Sequence, residues 1–180
     1  MIKLVRRFGG NESGETLIAF AFVMPILLAI TFATLDFTLA AFDYQRASEA
    51  TRAGARLAAA IGPVFDKNDF TVGSKIECVG TGSGVSCSGK AAKTPDRFSA
   101  IVTEMQKVFP AVKASNLRVV YEDAGLGDPS TPGGAMPVVT VRLENLSRKY
   151  ILLSAIPGVP NEVNFRPFVT NQVSTGLGAF

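Results

Sequence analysis

The chain has 180 residues, 47% of them hydrophobic, and a formal net charge of only +3. This length suits one modest domain, and the small charge, without a basic stripe rich in aromatic residues, argues against nucleic acid as a partner. The chain contains no histidine. That absence excludes Ser-His-Asp and Cys-His catalysis, together with the commonest general base near neutral pH.

A basic head precedes a long apolar run at the start of the chain. Lys3, Arg6 and Arg7 come first, and the twenty residues 16–35 then carry no charge. A helix of this length crosses a bilayer core of about 30 Å. The positive-inside rule places residues 1–14 in the cytoplasm as a basic leader. We therefore predict a single-pass protein of the inner (cytoplasmic) membrane, with its C-terminal domain periplasmic or extracellular.

A cleaved secretory signal peptide is the competing interpretation of this segment. Such peptides also have a basic head, but their apolar core is about 7–15 residues long and ends at a small-residue cleavage site. Here the run is longer, and it passes without a turn signal into a helical pattern that continues to about Ala60. The pattern favours retention of the segment.

One long helix is predicted over residues 15–60, spanning the membrane at 16–35. Pro25 lies inside the spanning part and is expected to bend it, because proline removes one backbone hydrogen bond and clashes with the preceding turn. Asp36 follows the apolar run. It is expected only to mark where water begins, so that Asp36→Asn should be mild.

The outer part of this helix carries charged pairs, an apolar stripe and a row of small residues. Two pairs of opposite charge are spaced i, i+3 and can bond along the surface: Asp43 with Arg46, and Glu49 with Arg52. The apolar stripe at helical spacing comprises Leu35, Leu39, Phe42, Ala50, Ala53 and Leu57. The row Ala50, Gly54 and Ala58 lets another backbone approach closely. These rows either seat the following domain on its own helix, which we favour, or form a seam between subunits.

Residues 61–180 are predicted to form a small exported α+β domain with a few antiparallel strands and one packed helix. Gly62-Pro63 ends the long helix. A second helix is expected to start at Pro95 with Thr94 as its cap, and Pro110 closes it. Its apolar face comprises Phe98, Ile101, Val102, Met105, Val108 and Phe109.

Strand patterns occupy the C-terminal part of this domain. Residues 137–146 alternate Val139, Val141 and Leu143 with polar neighbours, which indicates a half-buried strand. Further strand material lies at residues 117–121, 151–156 and 163–173. A loop rich in turn formers is expected at 122–134, and a turn at 157–160.

Cys78 and Cys87 enclose eight residues rich in glycine and serine. In an oxidising compartment this spacing predicts a small hairpin closed by a disulfide. A metal site is poorly supported, because there is no histidine and no second cysteine pair. No metal or other cofactor is expected.

Catalytic patterns are weak elsewhere as well. Residues 84–90 match most of the phosphate-binding pattern G-x-x-x-x-G-K, but Ala91 stands where the metal-binding Ser or Thr is needed. We interpret this match as chance. The sequence predicts a protein that is not an enzyme and has no catalytic residues.

The junction and the helix behind it resemble a known family. The start, RRF followed by SGETLIAFAFVMP at residues 13–25, is similar to that of TadE/TadG-like proteins, the minor pseudopilins of tight-adherence (Flp-type, type IV-like) pilus systems. LDF at 35–37, YQ at 44–45 and TRAGARLAA at 51–59 resemble the family's extension of the helix. The likeness covers about a third of the chain, and beyond Ala60 it is only architectural.

The resemblance implies a processing site and an assembly element. A membrane prepilin peptidase would cut after Gly14, so that Glu15 becomes the new amino terminus. The family usually has a glutamate at the fifth mature position, and this chain departs from that pattern with Ala19. Ala19 and Pro25 would then shape the helix that packs beside other pilin-like helices.

The combined interpretation is a minor pseudopilin-like structural or assembly protein of a tight-adherence pilus machine, a system of cell adhesion. Its expected partners are the membrane, other pilin-like subunits, pilus assembly platform proteins and the prepilin peptidase. The alternative is a single-pass membrane protein whose exported domain binds a ligand or partner unrelated to pili.

Overall fold

The computed structural model describes residues 12–81, 84–127, 134–155 and 158–176. Residues 1–11 of the predicted leader therefore lie outside the described residues, as do residues 128–133 of the predicted loop, 156 of the predicted strand material and 157 of the predicted turn.

The first element is a helix of 49 residues, α1, from Glu12 to Ala60. It confirms the long helix predicted from the sequence, and Pro25 lies inside it. The helix ends where the chain can no longer continue it. The Ile61 N–H donates to the Leu57 carbonyl at 3.0 Å, Gly62 adopts a positive φ of 82°, and proline follows. Glycine tolerates this left-handed conformation and proline lacks the next donor, so the pair Gly62-Pro63 stops the helix as expected.

A six-stranded antiparallel sheet follows, in the order β3-β2-β1-β4-β5-β8. Its strands are β1 (Lys75–Thr81), β2 (Gly84–Cys87), β3 (Lys90–Ala91), β4 (Leu117–Glu122), β5 (Val138–Leu143) and β8 (Phe168–Val173). Two short strands, β6 (Ser147–Lys149) and β7 (Glu162–Asn164), form a separate two-stranded sheet. The remaining elements are helix α2 (Pro95–Val108) and three 3-10 turns at Lys67–Asp69, Ala114–Asn116 and Leu153–Ala155. The predicted α+β class is confirmed.

The core lies between one face of the sheet, α2 and the outer part of α1. Val139, Val141 and Leu143 are all buried in it, which confirms the alternation predicted for β5. From α2 the core receives Phe98, Ile101, Val102 and Met105, followed by Phe109. Val108 is exposed, contrary to its predicted place on this face.

The row of small residues on α1 is buried in this core. Ala50, Gly54 and Ala58 are buried, and a methyl group built on Gly54 would lie 2.7 Å from both Cγ and Sδ of Met105. The row therefore brings α1 against α2, which supports the interpretation that α1 seats the domain of the same chain. The predicted apolar stripe is only partly buried, since Leu35, Leu39 and Phe42 are exposed.

Gly54→Leu should destabilise the protein, because the added side chain must displace the buried Met105. We expect a loss of about 1–3 kcal/mol, the usual cost of overpacking a core. Ala41→Leu on the exposed part of the same helix is the control and should change the melting temperature little. Adding Met105→Ala to Gly54→Leu should restore part of the loss in a thermal melt followed by circular dichroism. A variant Gly54→Leu as stable as Ala41→Leu would contradict this packing.

Some local contacts differ from the predicted ones, because distant partners take the groups concerned. Residues 151–155 of the predicted strand material do not form a strand, since Leu153–Ala155 is a 3-10 turn. Thr94 is the N-cap residue of α2 and Pro95 begins the helix, as predicted, but the Thr94 side chain makes no capping bond. Its hydroxyl donates instead to the carbonyls of Pro63 (2.9 Å) and Val64 (3.2 Å). The predicted Asp43–Arg46 pair is replaced by other contacts, which are described below with the site. The Glu49–Arg52 pair is confirmed at 2.9 Å.

The chain divides into two compact units. The anchor unit comprises Met1–Ala40 and Lys149–Val163, and the sheet unit comprises Ala41–Arg148 and Asn164–Phe180. Each unit thus combines part of α1 with residues from much later in the chain. The predicted division into a cytoplasmic leader (1–14), a long helix (15–60) and an exported domain (61–180) concerns the placement of the chain across the membrane and stays a prediction.

Candidate assembly helix and its anchoring contacts

The predicted processing site lies in the first turn of α1. Gly14 is the third residue of the helix, and a methyl group added to it would meet no atom within 4 Å beyond its immediate chain neighbours and the helix backbone. Glycine is a poor helix former, and terminal turns fray. The Gly14–Glu15 bond therefore lies in the turn that is easiest to unwind. Cleavage after Gly14 stays a prediction.

Large apolar side chains cover the following turns of α1 on all sides. Ala19 and Pro25 lie among them and are themselves exposed. The exposed large residues up to position 30 are Leu17, Ile18, Phe20, Phe22, Val23, Met24, Ile26, Leu27, Leu28 and Ile30. So large an apolar surface is not stable in water and requires lipid or other helices around it. Within the described part of the chain, this is the one helix long and apolar enough to span a membrane.

Threonine hydroxyls within and just beyond this segment are satisfied by the helix itself. Thr31 donates to the Leu27 carbonyl at 2.8 Å, and Thr34 donates to the Thr31 carbonyl at 2.8 Å. Thr38 donates to the Thr34 carbonyl at 2.7 Å. Hydroxyls bonded in this way need no partner from outside, so the segment remains compatible with a hydrocarbon environment.

Asp36 ends the apolar segment and accepts three backbone hydrogen bonds. Its Oδ1 accepts from the Ile151 N–H at 3.2 Å, and its Oδ2 accepts from Leu152 at 2.9 Å and Leu153 at 2.8 Å. Only 1% of the residue is exposed. The prediction that Asp36 merely marks the start of water was therefore wrong. The carboxylate holds a C-terminal segment against α1, and we call this set of bonds the Asp36 clamp.

A second carboxylate of α1 forms an ion pair within the sheet unit. Asp43 forms a largely buried ion pair with Arg148. Arg46, the partner predicted for Asp43, lies instead over the ring of Phe42, with its Cζ 5.0 Å from the ring centroid. Removing either member of a buried pair strands a charge, so the pair fixes the register of α1 in this unit.

Aromatic side chains extend the contact around Asp43. The Tyr44 ring lies 4.9 Å from Phe168 and 6.3 Å from Phe165, measured between ring centroids. Tilted pairs at these distances contribute beyond the area they bury. The outer part of α1 is thus held in the sheet unit by packing and by charge.

The two cysteines occupy paired positions on neighbouring strands. Cys78 on β1 is directly opposite Cys87 on β2, with their Cα atoms 4.0 Å apart and their sulfurs at the bonding distance of 2.06 Å. Both residues are buried in the core of the sheet unit. The spacing that indicated a closed hairpin therefore corresponds to one in the fold.

Thiol labelling of unreduced, denatured protein should find no reactive cysteine. Replacing both residues, Cys78→Ser with Cys87→Ser, should lower stability by roughly 2–3 kcal/mol, because the cross-link restricts the unfolded chain. A denaturant titration of both proteins measures this loss. Two reactive thiols in protein taken from the cell envelope would contradict both the disulfide and the oxidising location.

Other charged groups of the sheet unit support the fold. Arg118 lies between Glu77 and Glu144, and these two carboxylates raise its pKa. The Asp123 carboxylate accepts from the N–H groups of Gly73 (2.7 Å) and Gly125 (3.0 Å), which lower its pKa. The partners of Arg118 are carboxylates and those of Asp123 are backbone N–H groups, so both charged side chains stabilise the fold.

Tyr121 is the most deeply buried polar residue of β4. Burial raises the pKa of its hydroxyl above the ordinary value, and Phe65 packs at 5.1 Å from its ring.

Residues 84–90, which resemble a phosphate-binding loop, form strand β2, a turn and the start of β3. Lys90 begins a strand and not a helix, so the geometry of a phosphate-binding loop is not formed.

The most specific contacts of α1 are not predicted by the sequence. Asp36 is conspicuous there, but its three partners lie 115–117 positions later in the chain. Arg148 carries no signal of its own. The available signal is a lone carboxylate directly after an apolar run, which needs compensation wherever it is buried.

The comparison with known protein families finds a match within helix α1, the helix that makes these contacts. Residues 14–56 match the family model of the TadE-like proteins. No curated protein and no solved structure matches the chain. The match begins at Gly14, includes the apolar segment, Asp36 and Asp43, and ends shortly before the end of α1. The chain is therefore TadE-like over residues 14–56, consistent with the TadE/TadG-like family of tight-adherence pilus systems.

Proposed function

We propose that this protein is a minor pseudopilin-like subunit of a tight-adherence pilus machine, with a structural or assembly role and no enzymatic activity. The observation that carries the proposal is the coincidence of the TadE-like match, residues 14–56, with α1. The N-terminal half of that helix has the length and the exposed apolar surface of a membrane anchor. The chain has no histidine and therefore lacks the commonest general base near neutral pH, which is in keeping with a structural role.

The apolar half of α1 is the proposed assembly element. Helices in lipid associate through close packing, since burial of apolar surface gives no advantage there. Ala19 and Ala29 allow a neighbouring helix to approach, and Pro25 leaves one carbonyl without its helical donor. The surface shape of this segment, more than its hydrophobicity, would then select other pilin-like subunits and assembly platform proteins as partners.

Ala19 changes the chemistry of that packing. A glutamate at this position would place a carboxylate in lipid, where an unpaired charge is costly and seeks a partner such as a neighbour's amino terminus. This chain offers no carboxylate there, so its helix would associate without that charge pair. This feature is the argument for the second candidate, a membrane-anchored protein with an exported binding domain that does not enter a pilus.

The orientation follows from charge. Lys3, Arg6 and Arg7 precede the apolar segment, which favours a cytoplasmic amino terminus. The sheet unit would then lie on the outer side of the inner membrane, where its disulfide is stable.

The test of the proposed function is the intact mass of the purified protein. In a strain with an active prepilin peptidase, the mass should correspond to residues 15–180, because the Gly14–Glu15 bond would be cut. Gly14→Val should leave the full-length chain uncut, since the bulky side chain blocks the position before the cleaved bond. Gly10→Val, four residues upstream, is the matched control and should still be processed.

The two candidates differ in this result. A mature chain that still begins at Met1, in cells that process their other prepilins, would favour the plain membrane anchor over the pilus subunit. Processing of Gly14→Val at an unchanged rate would show that Gly14 is not the residue the peptidase recognises.

A further inference from the structure

A short segment of the anchor unit lies beside the end of the apolar run and carries one exposed apolar side chain, Ile151, between half-buried ones. Residues 150–154 are Tyr, Ile, Leu, Leu and Ser, and the sequence from 150 to 160 contains no charge. The Tyr150 N–H donates to the Asn161 carbonyl at 3.0 Å, and a 3-10 turn begins at Leu153. We call residues 150–154 the lip segment.

The Asp36 clamp fixes the lip segment to one level of α1. All three donors to the carboxylate, the N–H groups of Ile151, Leu152 and Leu153, belong to this segment. Because these are backbone bonds, the side chains remain available for other contacts. Ile151 is 63% exposed.

That level coincides with the edge of the proposed membrane span. The twenty residues 16–35 rise along the helix by about 30 Å, which is the thickness of a bilayer core. Asp36 is the next residue, so it lies where hydrocarbon gives way to lipid headgroups. The lip segment is clamped to Asp36 and must lie at the same depth.

The exposed side chains at this depth match the chemistry of that boundary. On α1, Leu35 is 50% exposed and Phe37 is 73% exposed. Tyr150 begins the lip segment, and the exposed Lys149 immediately precedes it. Tyrosine is enriched at membrane interfaces, and a lysine beside apolar residues can place its ammonium group among the phosphates of the headgroups.

We propose that the lip segment inserts into the headgroup region of the bilayer that α1 spans, and that the Asp36 clamp holds it there. The lipid surface is thus contacted by the helix and by a second segment from the C-terminal third of the chain. Two contacts at one depth would fix how far α1 can slide along the membrane normal. This inference rests on the proposed membrane span.

Tryptophan fluorescence in proteoliposomes tests the proposal, because the natural chain contains no tryptophan. Three single variants of the full chain are compared in phosphatidylcholine bilayers: Ile151→Trp in the lip segment, Leu28→Trp in the span and Val72→Trp in the sheet unit, where Val72 is 74% exposed. Lipids brominated near the headgroup or deep in the acyl chain quench at different depths, and acrylamide quenches from water.

The expected result is a different quencher for each position. Leu28→Trp should lose most emission to deep bromine, Ile151→Trp to bromine near the headgroup, and Val72→Trp to acrylamide alone. Ile151→Trp quenched by acrylamide as strongly as Val72→Trp would overturn the proposal in favour of a water-exposed segment. Protection of Ile151→Trp from acrylamide and from both brominated lipids would also overturn the proposal, and would indicate a protein neighbour at the lip segment.

Two further variants separate the parts of the inference. Failure of deep bromine to quench Leu28→Trp would reject the span itself, and with it the proposed function. Phe37→Trp reports the same depth from α1 and should behave like Ile151→Trp, even where the latter disturbs the loop. Asp36→Ala should remove headgroup quenching of Ile151→Trp while leaving Leu28→Trp unchanged. Retained quenching of Ile151→Trp in that background would show that the clamp does not hold the segment.

Discussion

Asp36→Ala should release residues 151–153 from α1 and lower the local free energy of opening by roughly 3 kcal/mol. Hydrogen bonds to a charged group contribute about 1.5–3 kcal/mol each, but these three share one carboxylate, so their sum is an upper limit. A loss of this size corresponds to a roughly hundred-fold increase in amide exchange. Hydrogen exchange of the purified protein in detergent should therefore show faster exchange at the amides of Ile151, Leu152 and Leu153.

Asp36→Asn should have a smaller but clear effect, in contrast to the mild effect expected from sequence alone. An amide side chain keeps one acceptor oxygen, but an NH2 donor replaces the other oxygen. That NH2 group would face either the Ile151 N–H or the N–H groups of Leu152 and Leu153, which donate to the two carboxylate oxygens of Asp36. Asp96→Asn is the matched control, because Asp96 is exposed on the first turn of α2. Unchanged exchange at all three amides in Asp36→Ala would show that the clamp does not stabilise the anchor unit.

Replacing residues 16–35 with an unrelated apolar helix of equal length should abolish pilus formation while leaving the protein in the membrane. Hydrophobicity and length suffice for insertion, whereas association of helices in lipid depends on the shape of their surfaces. The exchange keeps Asp36, so the clamp and the sheet unit are retained. Electron microscopy for pili, with immunoblots of the membrane fraction, measures the two effects separately.

Pro25→Leu tests one component of that shape and should reduce piliation partially. Leucine restores the backbone donor and removes the cause of the expected bend. Ile26→Leu at the adjacent position is a volume-conserving control and should leave piliation unchanged. Normal piliation by the helix-exchanged protein would show that the segment serves only as a tether, and would favour the alternative of a membrane-anchored binding domain.

The elements with local signals could be predicted from the sequence. Helix α1, its end at Gly62-Pro63 and the alternation of β5 follow from periodicity and from backbone chemistry within a few residues. The cysteine hairpin follows from spacing in the same way. For this reason the α+β class can be predicted correctly without knowledge of any contact.

The contacts that hold α1 could not be predicted, because their partners are remote in sequence. Nothing near Asp36 indicates that its bonds come from residues 151–153, and an apolar run such as 151–156 favours a strand on propensity alone. The carboxylate on α1 takes the N–H groups of residues 151–153 instead, and Leu153–Ala155 forms a 3-10 turn. Thr94 shows the same effect, since carbonyls of residues 63 and 64 take the hydroxyl that would have capped α2.

If the sheet unit is exported as proposed, the separation of 115 residues between Asp36 and Ile151 also sets the order of events during export. With its amino terminus kept in the cytoplasm, the chain would bring Asp36 to the outer side of the membrane long before its three donors arrive. Until then the carboxylate must stay hydrated at the membrane surface, since a buried and unpaired charge is costly. In the proposed orientation, the anchor unit would therefore fold only after most of the sheet unit has been translocated, and closing so long a loop would be a late step. Helix α1 would thus reach its final position in the membrane only after residues 151–153 have crossed it.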